Sequence, residues 1–595
     1  MTIDTARRLQ ALYVPVGDGV RLAADVWLPV ERIAAEGAVG TVVRATRYHR
    51  SQVPPGPGPA EDSNRPEGDL WNEAGFALVV VDARGTGASF GSRSGELGER
   101  EIADYGEVVD WVAAQPWSNG RVGFYGTSYE GQAAELVAGL RNPHVVAAAA
   151  LFSPYDPYRQ LFYPGGSATS GRFARWMCES RLKDGVAGSS AELAALTGLP
   201  PESVPLPPPV KPVDGPDGPA LLEEAVGEHQ DNVDVSALLD RVPCRDDGVE
   251  GLDWKATAPA SHRGETEASD VPLLIRAGWI DGAFAAGALM RFAALGNHQE
   301  VEIGPWDHGG RALVDPLRPA GVLEGDRFGP EGQGRRLVDF FARYLRRDSR
   351  DGRPGGRGKL GFCTLGTEEW RTVGSWPPEG LGTRRWYPGP RGGLTEEPGP
   401  RTTLRYRVDP ATSSGGTNRW LAGESGRGAA YPGRGAADEA LPSFTTPPFP
   451  DGIRVLGFPL VALRLATTGS DGAVYVYLDD VGPDGVVSYL TEGCLRFVHR
   501  GTAGPAGPAG LGVPRSFTRA DRLPVVPGRF LHLAVELLPV SFVLRAGHRI
   551  RVSVAGHDAS CFARYGPPDE TFTLALGEDS YLDLPVLAPA EGTGP

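Results

Sequence analysis

The sequence predicts an α/β sheet domain with an inserted helical cap, followed by a separate all-β domain, and three observations carry that prediction. Short β-rich runs alternate with helical periodicity up to about residue 151, a proline-laden stretch then interrupts the alternation, and helical periodicity nearly vanishes after residue 355. Length agrees, because 595 residues are too many for one core.

The first strands are read from "VRLAADVWLP", "GTVVRATRY" and "GFALVVVDARGTG". The last is fully apolar from Leu78 to Val81, as suits a strand buried on both faces of a sheet. In "ADYGEVVDWVAAQ", Tyr105, Val108, Val109, Val112 and Ala113 recur at the spacing of an amphipathic helix. A strand at Val122 to Tyr125, a glycine turn and a helix from about Tyr129 to Leu140 continue the alternation of an open, mostly parallel sheet, so residues 1–151 form its first part. Residues 152–250 read as an inserted helical cap. Its tract "LPPESVPLPPPVKPVDGPDGP" can be neither regular helix nor central strand and is expected on the surface. Strand signals resume at 271–278 and 300–305, with a helix near 284–295 between them, so the second part of the sheet domain spans 251–355 and closes on the amphipathic run "GRRLVDFFARYLRRD".

From 356 to 595 the pattern is strands and glycine turns. "GAVYVYLDDVGPDGVVSYL" is two strands about a Gly-Pro-Asp-Gly turn, and "FLHLAVELLPVSFVLRAGHRIRVSVAG" holds two more, which predicts a β-sandwich. Two stretches, "ATSSGGTNRWLAGESGRGAAYPGRGAADEA" and "GTAGPAGPAGLG", look too polar or glycine-rich to pack and are expected to be long loops.

Composition excludes several functions. A formal charge of −15 and a pI near 5.3 argue against nucleic acid as a partner, and no basic stripe offsets them. Five scattered cysteines show neither a C-x-x-C pair nor zinc spacing, so buried free thiols are expected and no metal. The start has no apolar signal region, and no window approaches the roughly 18 apolar residues of a membrane span. The reading is a cytoplasmic protein without a membrane partner.

A hydroxyl is a poor nucleophile unless a base lies within reach, a carboxylate orients that base, and donors face the developing oxyanion. On α/β-hydrolase sheets these follow in the order Ser, acid, His, each in a loop after a strand. Ser128 in "GFYGTSYEG", Asp281 in "RAGWIDGAF" and His308 in "IGPWDHGG" satisfy that order and context. Taken singly each has an ordinary explanation: a tight strand-to-helix turn, an Asp-Gly turn, one histidine among ten. Asp307 is a competing carboxylate. Chain neighbours rarely orient each other's side chains end-on, so Asp281 is preferred.

At these residues the sequence resembles the cocaine-esterase and X-prolyl dipeptidyl-peptidase family of serine hydrolases, which also holds α-amino-acid ester hydrolases and glutaryl-cephalosporin acylases. Trp117, Asn119, Gly120, Val122, Gly123, Gly126, Ser128, Tyr129 and Gly131 match its elbow, W-x-N-G-x-V-G-x-x-G-x-S-Y-x-G, in which Glu130 holds a variable position. "VVVDARGTGASFG", "GWIDG", "GPWDHG" and "FVLRAGHRIRV" match further. The resemblance implies an α/β-hydrolase domain, a helical cap and a C-terminal jelly roll. It also implies an oxyanion hole made by the Tyr129 backbone N–H and the Tyr48 hydroxyl. Asp82 and Arg84 are expected to be a structural pair.

The expected activity is hydrolysis of a small-molecule ester or amide by an acyl-enzyme route, with no cofactor. The resemblance implies that a member taking α-amino-acid esters holds the substrate ammonium with acidic residues shortly after the triad aspartate; here Gly282, Ala283 and Phe284 carry no charge, which favours a neutral or aromatic acyl group. Phe162, Phe173, Trp176 and Phe284 are candidate substrate contacts, and Tyr155, Tyr158 and Tyr163 could equally line the pocket or fill a cap core. Acyl transfer to another acceptor, an X-prolyl dipeptidyl peptidase and a non-enzymatic sugar- or protein-binding module are the rival functions. A homodimer stays open.

Overall fold

A computed structural model describes residues 4–6, 8–53, 63–197, 200–318, 328–346, 356–422, 428–502 and 512–588. Its first unit is a ten-stranded sheet made of β1 (Leu9–Pro15), β2 (Arg21–Trp27), β3 (Val39–Thr46), β4 (Ala77–Asp82), β5 (Ser118–Thr127), β6 (Val145–Leu151), β7 (Leu273–Gly278), β8 (Gln299–Gly304), β9 (Gly358–Thr364) and β10 (Glu369–Val373). Their order across the sheet is β1-β2-β4-β3-β5-β6-β7-β8-β9-β10. Pairing is parallel from β4 through β9 and antiparallel at both margins. Every residue of β4 is buried, as expected of a strand covered on both faces. Helices α1 (Glu99–Ala113) and α2 (Tyr129–Gly139) contribute Tyr105, Val108, Val109, Ala133 and Val137 to the core on one face.

The hairpin β9–β10 corrects the boundary read at residue 356. Instead of opening the β domain, it completes the first sheet, with β9 lying parallel on β8 from Gln299↔Gly358 to Ile303↔Phe362. "GKLGFCT" carries strand propensity but nothing that says which sheet it joins.

Between β6 and β7 the chain leaves the sheet and forms the cap. Its main helix, α3 (Ser170–Lys183), is tied to the sheet domain by a buried ion pair, Arg47–Asp184 at 3.0 Å. Residues 209–211 of the proline tract run along residues 51–53, with Val53 N–H donating to the Pro209 carbonyl at 2.8 Å and Gln52 bridged to Val210. Tyr158 and Tyr163 stack at 4.9 Å and, with Trp254, fill the cap's own core.

The C-terminal unit is an antiparallel β domain of a nine-stranded and a four-stranded sheet. Leu463 and Leu574 of one sheet and Val552 and Val554 of the other meet in its interior. The stretch 411–440, of which residues 423–427 lie outside the described residues, corrects the expectation of an unpacked loop in the rest. Asn418, Arg419 and Trp420 are buried and a short helix covers Arg434–Glu439. Within "GTAGPAGPAGLG", residues 503–511 lie outside the described residues. All five cysteines are buried and none is in a disulfide. Among the described residues, no helix is long and apolar enough to cross a membrane. Asp82 and Arg84 are structural but not a pair: Asp82 accepts from Ala88 N–H at 2.9 Å, and Arg84 donates to Asp104 at 2.7 Å.

One buried histidine sets an acid limit on this domain. His499 lies against Phe517, its Nε2 unpartnered, and burial followed by Arg496, Arg522 and Arg515 pushes its pKa down to about 4. An unfolded chain takes that proton near pH 6.5, so between the two values the unfolded state binds more protons. The contribution is therefore intact above pH 6.5 and lost as pH falls towards 4. Lowering the pH from 7 to 5 should cost about 2 kcal/mol through this residue, and His499→Gln should remove that part of the fall in stability and so flatten the decline of Tm with pH. An unchanged slope in the variant would assign the acid sensitivity elsewhere.

Candidate active site

Three parallel strands deliver the predicted residues to one edge. β5 ends at Thr127, Ser128 follows, and α2 begins at Tyr129. Ser128 takes φ 62° and ψ −120°, a conformation that costs a non-glycine residue energy and lifts its side chain out of the strand-to-helix turn. Gly131 stands three residues after Ser128, one later than the second glycine of a G-x-S-x-G elbow. A Cβ there would stand 2.8 Å from the Gly126 carbonyl oxygen and 3.0 Å from the Leu151 backbone, so strand and helix could not close this tightly.

Asp281 lies in the loop between β7 and α4 (Phe284–Ala294), and His308 follows β8. The His308 Nδ1 is 3.1 Å and 3.0 Å from the two Asp281 carboxylate oxygens. Asp307 is engaged otherwise: it accepts from the Ala312 N–H at 2.8 Å, and burial raises its pKa. Phe284 is buried behind the histidine, with ring centroids 5.3 Å apart, and does not line the cavity.

Ser128 and His308 open into a cavity of about 480 Å³, together with Tyr48 and Tyr129. Its apolar wall is Phe162, Phe173, Trp176 and Trp254, all from the cap. The Trp176 indole N–H donates to the Tyr48 hydroxyl at 3.2 Å. An indole cannot accept, so Tyr48 keeps its own proton for a second partner. Burial, outweighing the influence of Arg47, pushes the Tyr48 hydroxyl up to about 12, and it stays protonated near neutrality. The Ser128 N–H is used by the Leu151 carbonyl at 2.8 Å. The Tyr129 N–H belongs to the first turn of α2, whose donors have no partner within the helix.

Residues 18–310 match the X-Pro dipeptidyl-peptidase (S15) family, and residues 342–584 match the X-Pro dipeptidyl-peptidase C-terminal non-catalytic domain. A Mycobacterium bovis protein, provisionally named a serine esterase, is 32% identical over 628 residues that cover 98% of this chain and 96% of that one. The chain belongs to the S15 family. The cocaine esterase of a Rhodococcus species is 26% identical, covering 93% of this chain and 91% of its own. A crystal structure of a CocE/NonD family hydrolase from Staphylococcus aureus shares the fold, with TM-score 0.69, 18% identity, and coverage of 97% and 93%. As an S15 member the chain is a hydrolase, which sets aside the non-enzymatic reading.

Other residues of this S15 site had no signal in the sequence. Arg44 bridges Glu67 and Glu130 at 2.8 Å each, and all but Glu67 line the cavity. Glu130, read as a variable elbow position, is thus a buried partner of Arg44. The pairing joins residues 86 apart in the chain, which no local pattern announces. Glu96 and Glu179 on the same wall are also held by arginines: Glu96 by Arg47 and Arg93, and Glu179 by Arg175.

Proposed function

We propose that this S15 hydrolase cleaves the ester, or amide, of a small neutral or aromatic acyl group through an acyl-enzyme on Ser128. The observation that carries the reading is Asp281 on the Nδ1 of a histidine that shares one cavity with a serine at a strained strand-to-helix turn. Ser128 Oγ attacks the carbonyl as its proton passes to His308, and the Asp281 carboxylate steadies the imidazolium that forms. The Tyr129 N–H and the Tyr48 O–H take the oxyanion. The proton then goes to the leaving group, and water, deprotonated by the same imidazole, releases the acid.

The aromatic cap wall supports the acyl preference, as does the state of the cavity's carboxylates. Glu96, Glu130 and Glu179 each answer an arginine, which leaves them poorly placed to receive a substrate ammonium. A dipeptidyl peptidase would need such a receptor. Acyl transfer uses the same residues, and titrating in an amine or alcohol while measuring free acid against conjugate separates the two outcomes. Five cysteines that form no disulfide support a reducing, cytoplasmic location. The direct test is a fluorophosphonate label mapped by mass spectrometry, expected on Ser128, with a panel in which benzoyl esters outrun aminoacyl esters. Labelling elsewhere, or the reverse order, would refute the corresponding part.

Tyr48→Phe removes one hydroxyl and keeps the ring. A donor to the tetrahedral intermediate gains strength as charge reaches the oxygen and does little for bound substrate. We expect kcat to fall about 10²–10³-fold with KM nearly unchanged. Steady-state kinetics on one activated ester decides it, and a wild-type kcat would remove Tyr48 from the site.

A further inference from the structure

The domain described in relatives as non-catalytic reaches into this site. Arg419, 2% exposed, lies in the stretch 411–440 of the β domain, yet two of its guanidinium nitrogens serve the loop that carries Asp281. Nη2 donates to the Trp279 carbonyl at 2.6 Å and Nε to the Gly282 carbonyl at 2.8 Å. The Gly282 N–H returns a bond to the Arg419 carbonyl at 3.0 Å. Asp281 is therefore bracketed on both sides by one residue from another domain.

The bracket is itself held firmly. The Arg419 Nη1 donates to the Tyr489 hydroxyl at 3.0 Å, and the Arg419 N–H donates to the Tyr431 hydroxyl at 2.9 Å. Those two rings stack at 3.6 Å. Neighbouring Trp420 is buried and donates to Glu492. On the other side, Gly282 sits at φ 48°, so the loop turns sharply just after the carboxylate and depends on outside contacts for its shape. A guanidinium is a rigid planar fork that fixes two acceptors at once in a set geometry, which a flexible lysine ammonium does not impose.

We infer that Arg419 is a positioning residue for the hydrolysis, setting the Asp281 carboxylate against His308 from the C-terminal β domain. This rests on the roles proposed above for Asp281 and His308. Misplacing a supporting group by about 1 Å costs on the order of 10²-fold, so Arg419→Met should lower kcat about 10- to 100-fold while KM moves less than about twofold.

A double-mutant cycle on the full chain tests the inference. If Arg419 acts through Asp281, then Arg419→Met in the Asp281→Asn background should cost less than about threefold, because its route to the histidine is already cut. Equal losses in the two backgrounds, a loss confined to KM, or a wild-type kcat would overturn it. If Arg419→Met fails to fold, Arg419→Lys runs the same cycle. It keeps the charge without the planar fork, and the same non-additivity is expected with a smaller loss. Should Asp281→Asn alone retain wild-type turnover, the underlying assignment falls and takes this inference with it. A normal Asp281→Asn defect with additive Arg419 losses would overturn the inference alone.

Discussion

Ser128→Ala should fold as the wild type and lose about 10⁶ in kcat, because it deletes the attacking oxygen and disturbs almost nothing else. The side chain occupies a turn at φ 62°, where alanine meets the same backbone cost as serine, so melting temperature should hardly move. His308→Ala should be equally inactive. The double variant should be no worse than either single one, since nucleophile and base act as one unit. Retained turnover above about 1% in either single variant would refute the assignment, given that triad deletions cost far more than 10²-fold.

The second large effect separates two carboxylates that sequence alone leaves in competition. Asp281→Asn keeps shape but swaps an acceptor for an amide that can present a donor to Nδ1. The imidazole then adopts the wrong tautomer, at a cost of about 10⁴ in kcat. Asp307→Asn replaces the charged acceptor of the Ala312 N–H with a neutral amide oxygen and leaves the histidine's own partner in place. Its penalty should be far smaller and should show as a lower Tm. Kinetics and melting curves of the two purified variants give the ranking, and a reversed order would hand the orienting role to Asp307.

Much of this site was legible because its residues sit just past apolar strands. β5, β7 and β8 announce themselves by composition, and parallel alternation puts their carboxyl ends at one edge, so Ser128, Asp281 and His308 could be placed together before any coordinates. What a side chain does beside its neighbour was not legible. Phe284 lies three residues after Asp281 and looked like a pocket residue, but at the start of α4 its ring turns to His308. The pairing of Arg44 with Glu130 spans two strands and two helices, and a charge in a sequence does not name its partner. The β9–β10 hairpin was assigned to the β domain because a hairpin reads alike in sequence whether its first strand docks on a parallel sheet, as β9 does on β8, or on an antiparallel one. The glycine- and serine-rich stretch around Arg419 looked unpackable, and its one warning was Trp420, a large apolar residue in a polar run.

The cap leaves the sheet at the end of β6 and returns at β7, and those two strands are adjacent, paired from Ala148↔Leu273 to Leu151↔Arg276. An excursion that begins and ends at neighbouring strands can be lengthened, shortened or replaced without shifting any ladder register. Since the aromatic wall of the cavity belongs to that excursion while Ser128, Asp281 and His308 sit outside it, selection can rewrite what the pocket accepts in a segment that bears little of the sheet's folding constraint. Divergence in acyl preference and constancy of reaction are, on this architecture, inherited through separate stretches of one gene.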